Sequence, residues 1–233
     1  MVGLIGAMQI EVDNLISQVE EPRETRIGMD TFVTGRLFGQ EAVLAVCGPG
    51  KVNAALCTQN MILHFHPEWI LNLGAAGAGE NGMHIGDMVV ATCAVQHDMD
   101  TSSLGDPVGL ISKLNVVELP CDEALRLQLV RAAESLEGVS VHQGVIATGD
   151  QFVDRSDVRE RIHGLFHAKA VEMEGAAVAH ACYVHGVPCG VLRSISDGAN
   201  EQSDMDFMTF ARLAADHSAR VVEIMLNRKF SEN

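Results

Sequence analysis

Cations are scarce in this chain. Sixteen lysines and arginines stand against 31 aspartates and glutamates in 233 residues, a formal net charge of −15. Phosphate backbones are held by clustered Lys and Arg, so a nucleic acid or other polyanion is not an expected partner. Aromatic residues make up only 4 %, so an aromatic beside a loop, such as Phe152, draws notice. No apolar run approaches the roughly 20 residues needed to span a bilayer, and no membrane association is expected. Six cysteines (Cys47, Cys57, Cys93, Cys121, Cys182 and Cys189) include no CxxC pair. They read as reduced core thiols of a cytoplasmic protein. No basic region precedes "VGLIGAM", which reads as a buried strand rather than a signal peptide.

What is abundant is core-forming material: 47 % of residues are hydrophobic. Short apolar runs alternate with longer amphipathic stretches over residues 1–233, with no repeat or linker, and are read as one domain. Strands are expected near 2–7, 30–38, 41–47, 68–74, 86–97, 140–148 and 188–196. Helices are expected near 9–19, 51–65, 122–136, 154–163, 173–185 and 204–228, with a loop at 98–120. Continuous apolar strands such as "EWILNLGAAG" and "PCGVLRSIS" require helices on both faces. "DTFVTGRLFGQEAVLAVCG" instead reads as a hairpin turning at Phe38-Gly39-Gln40. The expected fold is a three-layer α/β/α arrangement around a mixed, twisted sheet.

Ligands of open α/β sheets lie beyond the carboxyl ends of the strands. Here those ends read "GAMQIE", "CGPGK", "LGAAGAG", "TGDQFV", "VEMEG" and "SISDGAN". Each joins glycines, which allow close backbone approach, to polar or acidic residues. If residues 171–174 are extended, Glu172 and Glu174 point to one side and present paired acceptors for a cis-diol. The alternative is that both occupy a first helical turn, favoured by the macrodipole. Glu11 is either a helix-start acid or a general base for water. Asp197 is either a turn residue or, if enclosed, a general acid. Phe152 is either core or a platform for a flat heteroaromatic ring. Arg193, inside an apolar strand, requires a carboxylate partner, and Glu172 or Glu174 would serve.

Two features point away from other chemistries. "HFH" at 64–66 and "HGLFH" at 163–167 have ligand-like spacing but no third ligand, and read as surface or capping histidines. "GPGK" at 48–51 lacks the spacing of a P-loop, and no GxGxxG follows the first strand. Neither a metal nor a cofactor is expected.

Together "IGAMQIEV", "GPGKVNAA", "LGAAGAG", "GDMVVA", "HDMD", "TGDQFV", "VEMEGAAVAH" and "RSISDGA" resemble the purine/uridine phosphorylase superfamily. The chain is most similar to its hydrolytic branch, the 5′-methylthioadenosine/S-adenosylhomocysteine nucleosidases. That resemblance implies cleavage of an N-glycosidic bond in an adenine nucleoside, with Glu11 as base and Asp197, beside Ser196, as acid. It implies ribose contacts at Met173 and Glu174 with Glu172 nearby, adenine stacking on Phe152, and edge recognition by the backbone of Val153. Arg193 would help to hold the attacking water, with Ala75 and Gly77 alongside. Met8, Pro49 and Phe207 would line the 5′ pocket, and the segment at Thr101 and Leu104 would close the site of a partner in a homodimer.

The chain also departs from the pattern of its relatives. Gln9 and Ile10 stand where a glutamate run is common, Ala75 removes a serine hydroxyl near the water site, and Thr101 makes the lid more polar. Competing expectations are a phosphorylase, a futalosine-type nucleosidase and a non-catalytic nucleoside sensor. A phosphorylase needs cations for its dianion, whereas the positions in question here hold Glu11 and Asn72.

Overall fold

The computed structural model describes residues 1–197 and 207–228; the side chains of Asp197, Phe207, Met208, Thr209, Ala211 and Arg228 lie outside that description. Among the described residues, ten strands form one mixed sheet: β1 (Val2–Gly6), β2 (Glu20–Ile27), β3 (Asp30–Leu37), β4 (Gln40–Val46), β5 (Trp69–Ala78), β6 (Met88–Gln96), β7 (Glu118–Pro120), β8 (Val141–Thr148), β9 (Ala168–Glu172) and β10 (Cys189–Asp197). The described helices are α1 (Gln9–Ile16), α2 (Lys51–Phe65), α3 (Glu123–Ala133), α4 (Ser156–Phe166), α5 (Gly175–His185) and α6 (Phe207–Arg228).

Strand alternation builds two core layers. On β5, Trp69, Leu71 and Leu73 join one layer with Val12 and Leu15 of α1, Leu125 and Leu129 of α3, and Val221 and Val222 of α6. Ile70, Ala76 and Ala78 face the opposite layer, with Cys57 and Met61 of α2 and Val178 and Cys182 of α5. Side chains alternate across a strand, so one apolar run feeds both layers. This is the expected three-layer arrangement. No helix among the described residues is long and apolar enough to cross a membrane.

The sheet also curls on itself. The strand order runs β10-β6-β8-β9-β5-β1-β4-β3-β2, and β10 pairs with β5 as well. β5 pairs with β1 over Trp69–Asn72, then with β9 at Gly77 and Ala78. Strands β5, β10, β6, β8 and β9 therefore close a ring, and their ends converge on one side. Gly79 permits that crossing: a Cβ there would lie 2.4 Å from the Ala168 carbonyl oxygen.

Three strands escaped the reading of the sequence. β2 is an edge strand exposed along nearly its whole length, so its charges show no burial pattern; Pro22 falls where its register shifts. β7 lies inside the stretch expected to be loop, and β9 is five residues beginning Ala-Lys-Ala. The hairpin turns at Phe38 and Gly39, both at positive φ, as expected for a tight two-residue turn. His66 and His167 are left-handed C-caps of α2 and α4, which accounts for both histidine pairs as helix endings.

Candidate active site

Glu11 is held from three directions. It is the third residue of α1, and its Oε2 accepts the N–H groups of Ala7 (2.8 Å) and Met8 (2.9 Å). Those amides belong to the helix start, where no intrahelical acceptor exists. Its Oε1 accepts the Ala75 N–H of β5 at 3.0 Å. The residue is only 3 % exposed yet lines a cavity. It is both a helix-start acid and a carboxylate at the cavity wall. Gly74 makes this position attainable, because a Cβ there would lie 2.5 Å from Oε1.

The structure divides the two glutamates expected to act as a pair. β9 ends at Glu172, and Glu174 is the N-cap of α5 with φ −133° and ψ −36°. The chain therefore turns between them, and they do not form one extended acceptor surface. Glu172 is engaged by the protein itself. Its Oε1 accepts from the Thr148 hydroxyl, and its Oε2 accepts from Glu174 N–H (3.0 Å), Gly175 N–H (2.7 Å) and Arg193. It anchors the start of α5. Glu174 reaches the other way, its Oε1 accepting the Gly50 N–H at 2.8 Å before α2. Burial pushes its carboxyl up to about 7, the Glu172 charge adds to that, and Arg193 opposes it.

Arg193 is 1 % exposed and pairs with Glu172, as its position in an apolar strand required. Its Nη2 also donates to Asn72 Oδ1, and its Nη1 to the Leu192 carbonyl at 3.0 Å. Asn72 in turn donates to the Ile5 carbonyl at 2.9 Å. This buried chain ties β1, β5, β9 and β10 together beneath the cavity. Among the described residues, Arg193 Nε finds no hydrogen-bond partner.

The cavity encloses about 260 Å³, slightly below the roughly 300–1,000 Å³ usual for small-molecule sites. Met8, Pro49, Ala75 and Gly77 line it, as do Phe152, Val153, Met173 and Ser196. Phe152 is 61 % exposed, which rules out a core role and leaves its ring at the cavity wall. Ser196 is buried, with its hydroxyl 3.4 Å from the Ala76 carbonyl oxygen. Asp197 ends β10 and pairs with Gly77 of β5 just after a register shift; its carboxyl lies outside the described residues. Phe207 opens α6, and its side chain is likewise outside them. Thr101 and Leu104 do not line this chain's own cavity. Leu104 is 81 % exposed, and the Thr101 hydroxyl is engaged by Asp106 Oδ2 at 2.8 Å. The polarity expected of Thr101 is thus satisfied within its own segment.

Thr148 and Asn72 were missed as supporting residues. Each is a fully buried polar side chain in an apolar strand, and that mismatch was the available signal. Gln151, Ala7, Ala76 and Val171 also line the cavity. None carries a distinctive sequence mark.

A family model described as the phosphorylase superfamily matches residues 1–227. A 5′-methylthioadenosine/S-adenosylhomocysteine nucleosidase of Geobacillus thermodenitrificans is 41 % identical over 96 % of this chain and 94 % of its own length. The solved nucleosidase of that name from Neisseria meningitidis, in complex with methylthio-immucillin-A, has a TM-score of 0.92 at 36 % identity, covering 97 % of this chain and 98 % of its own. A futalosine hydrolase from Helicobacter pylori has a TM-score of 0.91 at 36 % identity, with 97 % of each chain covered.

Proposed function

The chain belongs to the phosphorylase superfamily, in its 5′-methylthioadenosine/S-adenosylhomocysteine nucleosidase branch, and we propose that it hydrolyses the N-glycosidic bond of those two nucleosides. The products are adenine and the 5′-substituted ribose. The observation that carries hydrolysis over phosphorolysis is electrostatic. Among the described residues, the side chains lining the cavity include Glu11, Glu172 and Glu174 and no cation. Arg193, beneath it, is already paired with Glu172. A phosphate dianion entering this site would face carboxylates in a medium of reduced dielectric; neutral water does not.

In this reading Glu11 accepts a proton from the attacking water and Asp197 delivers one to adenine N7 as the bond breaks. Each proton transfer contributes about 10²–10⁴-fold. Two of them reach the lower range of enzymic accelerations, which starts near 10⁶-fold, or about 8 kcal/mol. Carboxylates fixed around a ribose that becomes oxocarbenium-like supply further stabilisation. Glu174 and Met173 hold the ribose, Phe152 stacks on adenine, and Val153 reads its edge. Arg193, whose Nε–H has no partner among the described residues, helps to orient the water. Glu172, with both oxygens engaged, fixes the α5 start rather than accepting the diol directly. Met8, Pro49 and Phe207 contribute the 5′ pocket.

A second copy of the chain completes the site in this proposal. Val52 and Leu56 on α2, with Tyr183 and Val184 on α5, leave an apolar face exposed where these two helices pack together. Leu104 projects into solvent from its own chain and would cap the partner's 5′ pocket. With the Thr101 hydroxyl engaged by Asp106, Leu104 is the apolar group that segment offers to a thioether.

The test is adenine release from 5′-methylthioadenosine with and without phosphate, together with identification of the sugar. Phosphate-independent release of free 5-methylthioribose is expected. A sugar 1-phosphate overturns the electrostatic argument, and faster turnover of futalosine would move the chain to that specificity.

Two further results are expected of this enzyme. The ribose hydroxyls require an ionised Glu174, whose carboxyl sits near 7 in the free protein. As pH falls below that value the protonated form accumulates, so kcat/KM drops about tenfold per pH unit. A pH profile whose acid limb lies near the ordinary carboxylate value would show that Glu174 does not control binding. Gly74→Ala forces the Glu11 carboxylate aside and lowers kcat/KM roughly 10²-fold; near-normal turnover would mean that the carboxylate need not stay where it is.

A further inference from the structure

Three segments meet beside the cavity. The first is the start of α2, where Gly50 N–H holds Glu174. The second is the loop after β8, whose Gln151, Phe152 and Val153 line the base side. The third follows β6 and continues through residue 98 to Thr101 and Leu104. Backbone pairing between the second and third stops at His97, whose N–H donates to the Thr148 carbonyl at 2.9 Å, and the Gly149 N–H makes the last such bond of the second, to the Glu172 carbonyl at 3.1 Å. Beyond those bonds, the ties among residues 98, 150 and the α2 start run through side chains.

One carboxylate makes contacts to two of the segments from within the third. Asp98 Oδ1 accepts from Lys51 Nζ at 2.6 Å, and its Oδ2 accepts the Asp150 N–H at 2.9 Å. Asp150 closes the triangle, its Oδ1 accepting the Lys51 N–H at 2.7 Å. The Lys51 and Asp98 side chains are only 18 % and 30 % exposed. Burial would push the Asp98 carboxyl up, but the Lys51 ammonium and the Asp150 amide outweigh it and hold the carboxyl below its usual value. The Lys51 and Asp98 side chains do not line the cavity.

We infer that Asp98, with Lys51, is a positioning residue that locks the base-reading loop to the α2 start and to the root of the Leu104 segment. This rests on the proposed nucleosidase reading. The contact from Asp98 is to the amide immediately before Gln151, Phe152 and Val153, so its loss frees the base side first. Adenine is held there in both the ground state and the transition state. An interaction made equally in both raises KM when removed and leaves kcat nearly unchanged. A charge-assisted hydrogen bond that is partly solvent-screened supports about a tenfold effect.

The experiment compares wild type with Asp98→Ala, Asp98→Asn, Lys51→Met and Lys51→Arg in the full chain. Adenine affinity is measured by calorimetry, kcat and KM on 5′-methylthioadenosine, and Tm by thermal melting. Asp98→Ala is expected to weaken adenine about tenfold and raise KM to match, with kcat within about threefold. Lys51→Met follows in the same direction and Lys51→Arg restores much of the loss. Asp98→Asn keeps the volume and one acceptor for Asp150, which allows the question to be asked even if alanine impairs folding. Adenine affinity within twofold of wild type overturns the inference, as does a loss confined to kcat or a Lys51→Arg variant no better than Lys51→Met. Should wild type release no adenine from 5′-methylthioadenosine, the nucleosidase reading fails. The adenine affinity ratios still decide the role of Asp98.

Discussion

Glu11→Gln is expected to lower kcat/KM for 5′-methylthioadenosine by about 10²–10⁴-fold, the contribution of one well-placed general base. Glutamine matches glutamate in size, so the cavity keeps its shape. What changes is the proton chemistry and part of the hydrogen bonding. The native carboxylate accepts from Ala7 and Met8 through one oxygen and from Ala75 through the other. An amide offers one carbonyl oxygen, so either the helix-start amides or Ala75 loses its acceptor. That loss costs about 1–3 kcal/mol of stability. Steady-state adenine release, read beside thermal melting, separates the two effects. Retention of more than a tenth of wild-type kcat/KM would place the water-activating group elsewhere.

The second large effect is on stability. Arg193→Met should leave Glu172 buried without its cation, and breaking a buried pair in this way costs about 3–5 kcal/mol. For a chain of this size each kcal/mol corresponds to roughly 2–4 °C in Tm. A fall of about 6–20 °C is therefore expected. Removing the second charge as well, in Arg193→Met with Glu172→Gln, should recover part of it, because the neutral amide can still accept from the Thr148 hydroxyl or from the Gly175 N–H. Calorimetric or fluorescence melting checks this. A single variant that melts within about 2 °C of wild type would mean that water or a neighbouring group replaces the guanidinium, and that the buried chain from Asn72 to Thr148 is not the frame of the site.

Much of this was legible from residue order. Burial on both faces selects continuous apolar strands, so β1, β5, β6 and β10 announced themselves, and the ends of β1, β5 and β10 border the cavity. Arg193 declared its need for an acid because a lone guanidinium in an apolar strand is too costly to leave unpaired. The histidines of the two ligand-like pairs stood at helix ends, and one of each pair is a C-cap.

Other features depended on long-range contact. Whether Glu172 and Glu174 act as a pair turns on where β9 stops, and β9 forms only because β5 and β8 offer it free edges. An exposed edge such as β2 carries no burial signal, since its pairing uses backbone groups common to every residue. Which acid neutralises Arg193 follows from the closure of five strands into a ring; the Ala7 and Met8 amides reach Glu11 locally, whereas the Ala75 amide does so because β5 pairs with β1. Local sequence sets what each side chain requires. Partners 64 or 124 residues apart, as Ala75 is from Glu11 and Gly50 from Glu174, are chosen by tertiary packing, because chain entropy favours neither contact until the sheet has brought the strand ends together.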